Sequence, residues 1–310
     1  MILLWGMAGD GPLDAVQRCL EQRGVPLLRL DQADVLETAV ELRAGAVLAG
    51  HIDYRGRRYP LEDFTAAYVR CDDLSRIPAL AAQPPGGPAR DHALRVNELL
   101  SCWLELTPAR VVNRLSAMAS NGSKPYQLGI IRAAGFAVPA TLITNEPAAV
   151  EQFRREQGEV IYKSTSGVRS IVSRLAGAKL EQLERVRSCP TQFQRHVAGT
   201  DIRVHRFGDA LFASEIVCAA DDYRYAGRDG VALEIRSCEL PPEVSERCLA
   251  LACRLQLPAA GIDLRRGGDG LWYCFEVNPS PAYTFYQSAT GQPMAEALAA
   301  LLAGTCGGAA

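Results

Sequence analysis

Residues 261–281 read GIDLRRGGDGLWYCFEVNPSP, and this stretch decides how the chain is interpreted. Two apolar runs flank a turn rich in glycine and aspartate, which is the pattern of a β-hairpin. Glu276 and Asn278 stand two residues apart on the second run, so their side chains share one face of a strand. A turn centred on the adjacent glycines would place Asp263 opposite Cys274 and on that same face. Such a group of oxygens suits Mg²⁺, although a hairpin whose polar face is merely hydrated has the same spacing.

The composition is that of a soluble globular protein with a sizeable core. The 310 residues are 48% hydrophobic, and the formal net charge of −2 gives no support for nucleic-acid binding. No apolar run approaches the roughly 20 residues that span a bilayer, and the first residues read as a strand without a basic leader. The ten cysteines form no CxxC pair and the four histidines no HExxH cluster, which favours core thiols over a zinc or disulfide framework. We expect a cytoplasmic protein with no nucleic-acid or membrane partner.

Strand and helix patterns alternate over the first hundred residues, which is typical of an α/β layer with a parallel sheet. One of the helical patterns lies near Val35–Arg43. Later strands are expected to be antiparallel, so the chain combines α/β and α+β parts. We predict three units: an N-terminal α/β domain (residues 1–108), a central lobe (109–188) and a C-terminal lobe that carries the hairpin (189–305).

Two lysines are candidates for binding phosphate. Lys163 ends a strand and precedes the Ser/Gly-rich turn 164–167, where an ammonium group and backbone N–H groups can meet phosphate oxygens. Lys124 opens a predicted helix, and helix N-termini favour negative charge. A solvated strand end and an exposed first-turn lysine are the alternatives. The chain contains no GxSxG motif and no P-loop, which disfavours covalent enzyme catalysis.

Other charged residues stand where a ligand could meet them. Asp201, Arg203 and His205 alternate along one strand and share a face, which must meet either water or a ligand. Arg224 lies in the acidic loop 221–225, where a binding site and a salt-bridged surface cluster are both possible.

Taken in order, these pieces resemble the ATP-grasp superfamily. The resemblance is closest to its RimK-like carboxylate–amine ligases and to the related ligases that cross-link ribosomal peptides of the microviridin or graspetide type. It covers about residues 1–304. The stretches that carry it are Ala67–Arg70, Val112–Asn113, Lys124, Gln127–Leu128, Val138–Asn145, Val160–Lys163, Gln192–Val197, Gly199–Val204, Gly261–Asp263 and Phe275–Pro281.

The resemblance implies an ATP-grasp fold, with an N-terminal pre-ATP-grasp domain and two α+β lobes that grip ATP. The nucleotide-binding residues that it implies are Lys124, Lys163, Ser164, Gly167, Arg169 and Asp201. The hinge that reads adenine would comprise Gln194, Arg195, His196 and Val197. The ligands of magnesium, expected as two ions, would be Asp263, Glu276 and Asn278. The catalytic arginines, near the γ-phosphate and an acyl-phosphate intermediate, would be Arg203 and Arg224.

The chain departs from the family pattern at three places. The turn 164–167 is shorter than the usual phosphate loop, and Arg169 would supply part of the charge over the phosphates. Ala226 stands where the family has an asparagine two residues after the second arginine, which puts one phosphate or magnesium contact in doubt. Ser123 precedes the first lysine, where the family commonly has aspartate.

The function implied is an ATP-dependent ligase of the carboxylate–amine type. The carboxylate of an amino acid or peptide would form an acyl phosphate, and an amine or hydroxyl group would then give an amide or ester, with ADP and phosphate released. The alternatives are a macrocyclase or other modifying ligase of ribosomal peptides, a nucleotide-binding module without catalysis and a kinase-like phosphotransferase. Substrate choice is expected around Arg203, Arg224 and the exit loop Ser280–Thr290. Sheet edges and the first lobe also offer surfaces for a homodimer.

Overall fold

A computed structural model of the chain describes residues 1–45, 48–164, 172–218, 230 and 232–304. Its strands are β1 (Ile2–Gly6), β2 (Leu27–Asp31), β3 (Ala39–Arg43), β4 (Ala49–Tyr54), β5 (Arg57–Pro60), β6 (Ala66–Arg70), β7 (Arg110–Val112), β8 (Thr141–Thr144), β9 (Val160–Ser164), β10 (Ser173–Arg174), β11 (Thr191–Arg195), β12 (Gly199–Phe207), β13 (Ala210–Cys218), β14 (Leu233–Cys238), β15 (Ala259–Gly267) and β16 (Trp272–Asn278). Its α-helices are α1 (Gly11–Gln22), α2 (Pro78–Ala81), α3 (Pro88–Leu106), α4 (Leu115–Met118), α5 (Lys124–Ala133), α6 (Pro147–Gln157), α7 (Ala178–Glu181), α8 (Pro242–Arg254), α9 (Thr284–Thr290) and α10 (Met294–Ala303).

The first sheet is parallel and has the order β2-β1-β6-β7. Its central strand β1 is an unbroken apolar run that is buried along its whole length, as expected for a parallel strand covered on both faces. Helices α1 and α10 pack on one face, whereas α3 and the small antiparallel sheet β3-β4-β5 cover the other. Strand β7 lies beyond residue 108, so the first sheet takes one strand from the next stretch of the chain.

The helix predicted near Val35–Arg43 is wrong. A short 3-10 helix, Gln32–Glu37, is capped by the Asp31 side chain, and β3 then pairs antiparallel with β4. Val40 pairs directly with the buried Ile52, so the segment is held as a strand by its neighbour. Tertiary pairing overrides a helical spacing that is only a few residues long.

The second sheet is antiparallel, with the order β10-β9-β11-β8. Phe193 on β11 pairs with Tyr162 on β9 and Leu142 on β8, and this face packs against α6. On the opposite face Gln192 pairs with Lys163, and both side chains are buried. The alternation along the strands therefore turns Lys163 away from the apolar core of its own lobe.

The third sheet is antiparallel, with the order β14-β13-β12-β15-β16. Val204, Ile262 and Val277 form one rung across its three adjacent strands β12, β15 and β16, and all three are fully buried. This face packs against α5 and α8. Because side chains alternate, the neighbouring rungs of the same strands present their side chains on the other face.

The segment expected as an exit loop, Ser280–Thr290, contains helix α9, so that expectation is wrong for its second half. Tyr283 is fully buried at the start of α9, and its hydroxyl donates a hydrogen bond of 2.8 Å to the Pro12 carbonyl in α1. This contact joins the segment after β16 to helix α1 of the N-terminal α/β domain. None of the helices in the described ranges is long and apolar enough to cross a membrane.

Truncation of Trp103 to alanine should lower the free energy of unfolding by about 3–5 kcal/mol, because it leaves a large cavity in the first lobe. Trp103 is 1% exposed and lies edge-on to Phe64, with ring centroids 5.6 Å apart. Leu94→Ala, at an exposed position of the same helix α3, is the matched control and should cost less than about 0.5 kcal/mol. Urea unfolding of both variants measures the difference, and equal losses would contradict this description of the core.

Candidate functional site

The register of the hairpin differs from the expectation by one residue next to the turn and by two residues at Asp263. Asp263 lies directly opposite Glu276, and the next pair is Leu264 with Cys274, so Phe275 is an extra residue that forms a bulge in β16. The predicted pairing of Asp263 with Cys274 is therefore wrong. The two carboxylates nevertheless share one face, as expected, and they lie closer together than the predicted register would place them.

Asn278 extends this face by one rung. It lies opposite Gly261, and its side-chain oxygen accepts a hydrogen bond of 2.9 Å from the Ser280 backbone N–H. That local turn, followed by proline, directs the chain away from the sheet. The three residues expected to bind metal are thus brought together where β15 begins and β16 ends.

Two buried cations contact the two carboxylates. Lys124 Nζ at the start of α5 donates to Glu276 Oε2 at 3.3 Å, and Arg203 Nη1 on β12 donates to Asp263 Oδ1 at 2.5 Å. Arg203 also pairs with Asp263 directly across the ladder. Lys124 and Arg203 are only 8% and 6% exposed, so salt screens these contacts less than it screens surface ion pairs.

The charges of several elements converge on Glu276. Burial raises the pKa of its carboxyl group, but the positive charges of Lys124 and Lys163, the hydrogen bond from Lys124 and the charge of Arg203 outweigh burial. The pKa of Glu276 is lowered as a result. Lys163 therefore acts on the same carboxylate from β9, in the second sheet. Two carboxylates on one rung repel each other, and the surrounding positive charge offsets this repulsion.

Three side chains that the sequence analysis did not single out as site residues hold the end of β16. Gln127 on α5 donates to the Val277 carbonyl at 2.8 Å and accepts from the Val277 N–H at 2.9 Å. Asn113, after β7, donates to the Pro279 carbonyl at 2.5 Å. Arg70, at the end of β6, donates to Ser280 Oγ at 2.8 Å.

The partners in these contacts are 150, 166 and 210 residues apart in the chain, so local patterns carry no signal of them. Arg70, Asn113 and Gln127 do belong to stretches on which the family resemblance rests. Their structural role is to fix the backbone on either side of Asn278. A buried amide that exchanges both hydrogen bonds with one residue leaves that backbone little freedom.

The four residues expected in the hinge contact the strands around them. Gln194 donates to Thr141 Oγ1 at 2.9 Å, and Arg195 donates to the Tyr273 hydroxyl at 2.9 Å. The His196 ring lies 3.1 Å from a Glu159 carboxylate oxygen. The Val197 carbonyl accepts a hydrogen bond of 2.7 Å from Arg265. Three side chains and one backbone carbonyl thus anchor the segment 194–197, which leads from β11 in the second sheet to β12 in the third.

The remaining expected residues fall into two groups. Asp201 accepts hydrogen bonds of 2.6 and 2.7 Å from Nε and Nη2 of Arg265, one rung away from Asp263 and Glu276 on the same face of the sheet. Ser164 ends β9 and pairs with Thr191. Gly167, Arg169, Arg224 and Ala226 lie outside the described residues.

The donor set consists of two carboxylates and one amide oxygen, close to three basic side chains. Asp263 and Glu276 are 35% and 25% exposed at the side chain, so solvent can still reach them. Within the described part of the chain, no cluster of three or more histidine, cysteine or acidic side chains could hold a metal ion. Hard oxygen ligands of this number suit a Mg²⁺ ion that takes its other ligands from water and phosphate.

No family model matches the chain, and no curated protein matches its sequence. Solved structures match it over almost the whole length. The ATP-grasp ligase PsnB, complexed with a phosphomimetic variant of its minimal precursor, Mg and ADP, is 27% identical, with a TM-score of 0.79 and 98% of each chain covered. The chain has the ATP-grasp fold.

Two other ATP-grasp structures are similar. The RiPP-associated ATP-grasp ligase of Chryseobacterium gregarium, in complex with ADP and a leader and core peptide, is 20% identical, with a TM-score of 0.84 over 99% of this chain and 97% of that one. The macrocyclase MdnC of Microcystis aeruginosa, bound with the precursor peptide MdnA, is 20% identical, with a TM-score of 0.79 over 99% and 100%. The ATP-grasp fold expected from the sequence is thereby confirmed.

Replacement of Gln127 by leucine should lower the free energy of unfolding by about 2 kcal/mol, because it leaves the N–H and carbonyl of Val277 without partners in a buried place. Gln152→Leu on α6 is the control, since Gln152 is exposed and donates a hydrogen bond to its helix neighbour Glu156. Chemical denaturation compares the two. A loss no larger for Gln127→Leu than for the control would contradict the role given to this amide.

Replacement of Glu276 by glutamine should give a stability difference that depends on pH. The pKa of Glu276 is lowered in the folded protein, so its contribution is fully present above the unfolded pKa of about 4.3 and is lost as the pH falls through the folded pKa. The free energy of unfolding of the wild type should therefore exceed that of Glu276→Gln by about 1 kcal/mol at pH 7, and this difference should shrink as the pH falls.

Urea unfolding at pH 7 and at acidic pH measures this gap. Glu98→Gln, at an exposed position on α3, controls for the loss of one negative charge. A gap that widens as the pH falls would refute the assignment of Glu276 as the carboxylate that the cations stabilise.

Proposed function

We propose that this ATP-grasp protein is an ATP-dependent ligase that acts on a peptide carboxylate. The observation that carries the proposal is the rung Arg203–Asp263–Glu276, with Lys124 and Lys163 acting on the same carboxylate. Phosphoryl transfer requires positive charge around the phosphates and hard oxygen ligands for magnesium, and this rung combines both.

The magnesium ligands in this proposal are Asp263, Glu276 and Asn278. They fit the ion because all three offer oxygen and the two carboxylates are partly exposed, opposite each other on one rung. When bound, Mg²⁺ neutralises charge on the phosphate oxygens of ATP. A site for two ions would need further ligands from water and phosphate.

The basic residues then divide between binding and transfer. Lys124 and Lys163 approach from different elements and offset the charge of the phosphates, with Ser164, Gly167 and Arg169 as the proposed phosphate loop. Gln194 to Val197 form the proposed adenine hinge, and Asp201 a further nucleotide contact. Arg203 and Arg224 are proposed to meet the γ-phosphate and the acyl phosphate.

The reaction proceeds in two displacements. A carboxylate oxygen of the substrate bonds to the γ-phosphorus as the bond to the β,γ-bridging oxygen breaks, which releases ADP and leaves an acyl phosphate. An amine or hydroxyl group then bonds to the acyl carbon, and inorganic phosphate leaves with the electron pair of the broken C–O bond. The nucleophile gives up its proton to solvent or phosphate. The protein's residues contribute positioning and charge neutralisation rather than a covalent bond.

A peptide is the favoured substrate class. The proteins PsnB, MdnC and the Chryseobacterium gregarium ligase were each solved with a precursor, leader or core peptide. Similarity to them over nearly the whole chain favours a ligase that joins groups within one ribosomal peptide, as an amide or ester. Addition of a free amino acid to a carboxylate is the second candidate, since the same ATP chemistry serves it. We further propose a cytoplasmic enzyme of the carboxylate–amine ligase class, organised in three units and able to form a homodimer.

Incubation with ATP, Mg²⁺, a mixture of free amino acids and a synthetic copy of a short peptide encoded next to this gene should release ADP and remove one water from the peptide for each bond formed. Mass spectrometry follows the peptide and a coupled assay follows ADP. Glu276→Gln should lower the rate by about 10²–10³, as expected for removal of a preorganised charged group, whereas Glu98→Gln should not.

Each product of this assay indicates a different activity. A peptide that gains the mass of an amino acid would indicate ligation instead of cyclisation, and a stable phosphorylated product would indicate a kinase. Nucleotide binding without ADP release across a panel of peptides would contradict a ligase and favour a binding module.

A further inference from the structure

Arg203 lies against a glycine whose lack of a side chain makes room for it. Gly261 faces His205 across the ladder between β12 and β15. A Cβ atom built on Gly261 would lie 2.5 Å from Cζ and 2.9 Å from Nε of Arg203. Since real Cβ contacts are never that short, any other residue at 261 would push the guanidinium group aside. The backbone of Gly261 is not in the left-handed region, so the need for glycine here is steric.

His205 is the second neighbour of this guanidinium group. Its ring is fully buried, parallel to Phe207 and 4.7 Å from the ring of Tyr286. Arg203 Nε lies 3.5 Å from His205 Nε2 and donates to it. A guanidinium nitrogen can only donate, so Nε2 accepts and the ring proton is on Nδ1. Nδ1 itself is buried, and none of the described residues offers it a hydrogen-bond partner.

The charge state of the ring agrees with this geometry. Burial lowers the pKa of His205 well below its ordinary value, and the positive charge of Arg203 lowers it further. The ring is therefore neutral at physiological pH and can accept a hydrogen bond. Burial of a polar ring atom without a partner costs stability, which apolar packing alone does not explain.

The contacts of Arg203 differ in what they constrain. The hydrogen bond from Nη1 to Asp263 holds one end of the group, and the Tyr286 ring, 6.0 Å from Cζ, lies against it. Rotation about the Asp263 contact would still be possible with these two alone. The hydrogen bond from Nε to His205 and the close packing of the guanidinium group on the backbone of Gly261 prevent that rotation.

We infer that His205 is a positioning residue that, together with Gly261, aims the Arg203 guanidinium group at the γ-phosphate of ATP. This inference rests on the proposed function. His205 acts through Arg203 and touches no substrate. Its contribution appears only with a nucleotide that carries a γ-phosphate, so ADP serves as an internal control.

Calorimetric titration of the full-length protein with Mg·ADP and with Mg·AMPPNP, a non-hydrolysable ATP analogue, tests this. The quantity measured is the ratio of the two dissociation constants, which should favour AMPPNP in wild type. His205→Phe keeps the ring packing but loses the acceptor, and should reduce the preference by about tenfold. His205→Gln can place an acceptor near the position of Nε2 and should retain most of it.

Gly261→Ala is an independent variant that displaces the Arg203 guanidinium group and keeps the histidine at position 205. The atoms displaced belong to the end of a flexible side chain, so the protein should stay folded. It should lose the AMPPNP preference as His205→Phe does, because the dissociation constant for AMPPNP should rise more than that for ADP. Arg203→Ala gives the value expected when the contact is absent, and thermal melting checks that each variant is folded.

Three results would overturn the inference. The first is that His205→Phe and Gly261→Ala keep the wild-type ratio of dissociation constants while Arg203→Ala loses the preference for AMPPNP. This result would leave the proposed function unaffected. The second is equal binding of both nucleotides by wild type. The third is failure of wild type to bind either nucleotide, which would overturn the proposed function as well.

Discussion

The site depends on two negative charges that face each other across one rung of a β-ladder. Asp263 and Glu276 would repel if they stood alone, and like charges directly opposite each other destabilise a sheet. The pair is tolerated because cations surround it: Lys124 from α5, Lys163 from β9 and Arg203 from β12. The carboxylates and the cations need each other, since a buried cation without a counter-charge is equally costly. Because Lys163 belongs to the second sheet and Glu276 to the third, this mutual dependence links the two sheets at the site.

In the third sheet, the side chains that stabilise the core and the side chains of the candidate site lie on opposite faces. Val204, Ile262 and Val277 form a fully buried rung, and the rung beside it, on the opposite face, carries the charged residues. A substitution on the charged face therefore disturbs the site without opening the core. The exception is the backbone of β16, which Gln127 holds from α5, so the position of the metal ligands also depends on how that helix packs.

Local patterns in the sequence predicted the parallel α/β layer at the start of the chain and the later antiparallel strands, and they predicted correctly that Asp263 and Glu276 share a face. They failed where one extra residue or a distant partner decides the result. The bulge at Phe275 shifts the ladder by one residue, and nothing in an alternation of apolar and polar residues marks it. The segment Val35–Arg43 has helical spacing, but pairing with β4 makes half of it a strand. Contacts such as Asn113 with Pro279 join residues that only the folded chain brings together.

The most direct test of this account is a crystal structure of the protein with Mn²⁺ in place of Mg²⁺ and AMPPNP, with the ion located by its anomalous scattering. The account predicts an ion at coordination distance from carboxylate oxygens of both Asp263 and Glu276 and from a phosphate oxygen, with Lys124, Lys163 and Arg203 around the phosphates. An ion bound elsewhere, or a nucleotide bound away from this rung, would contradict it.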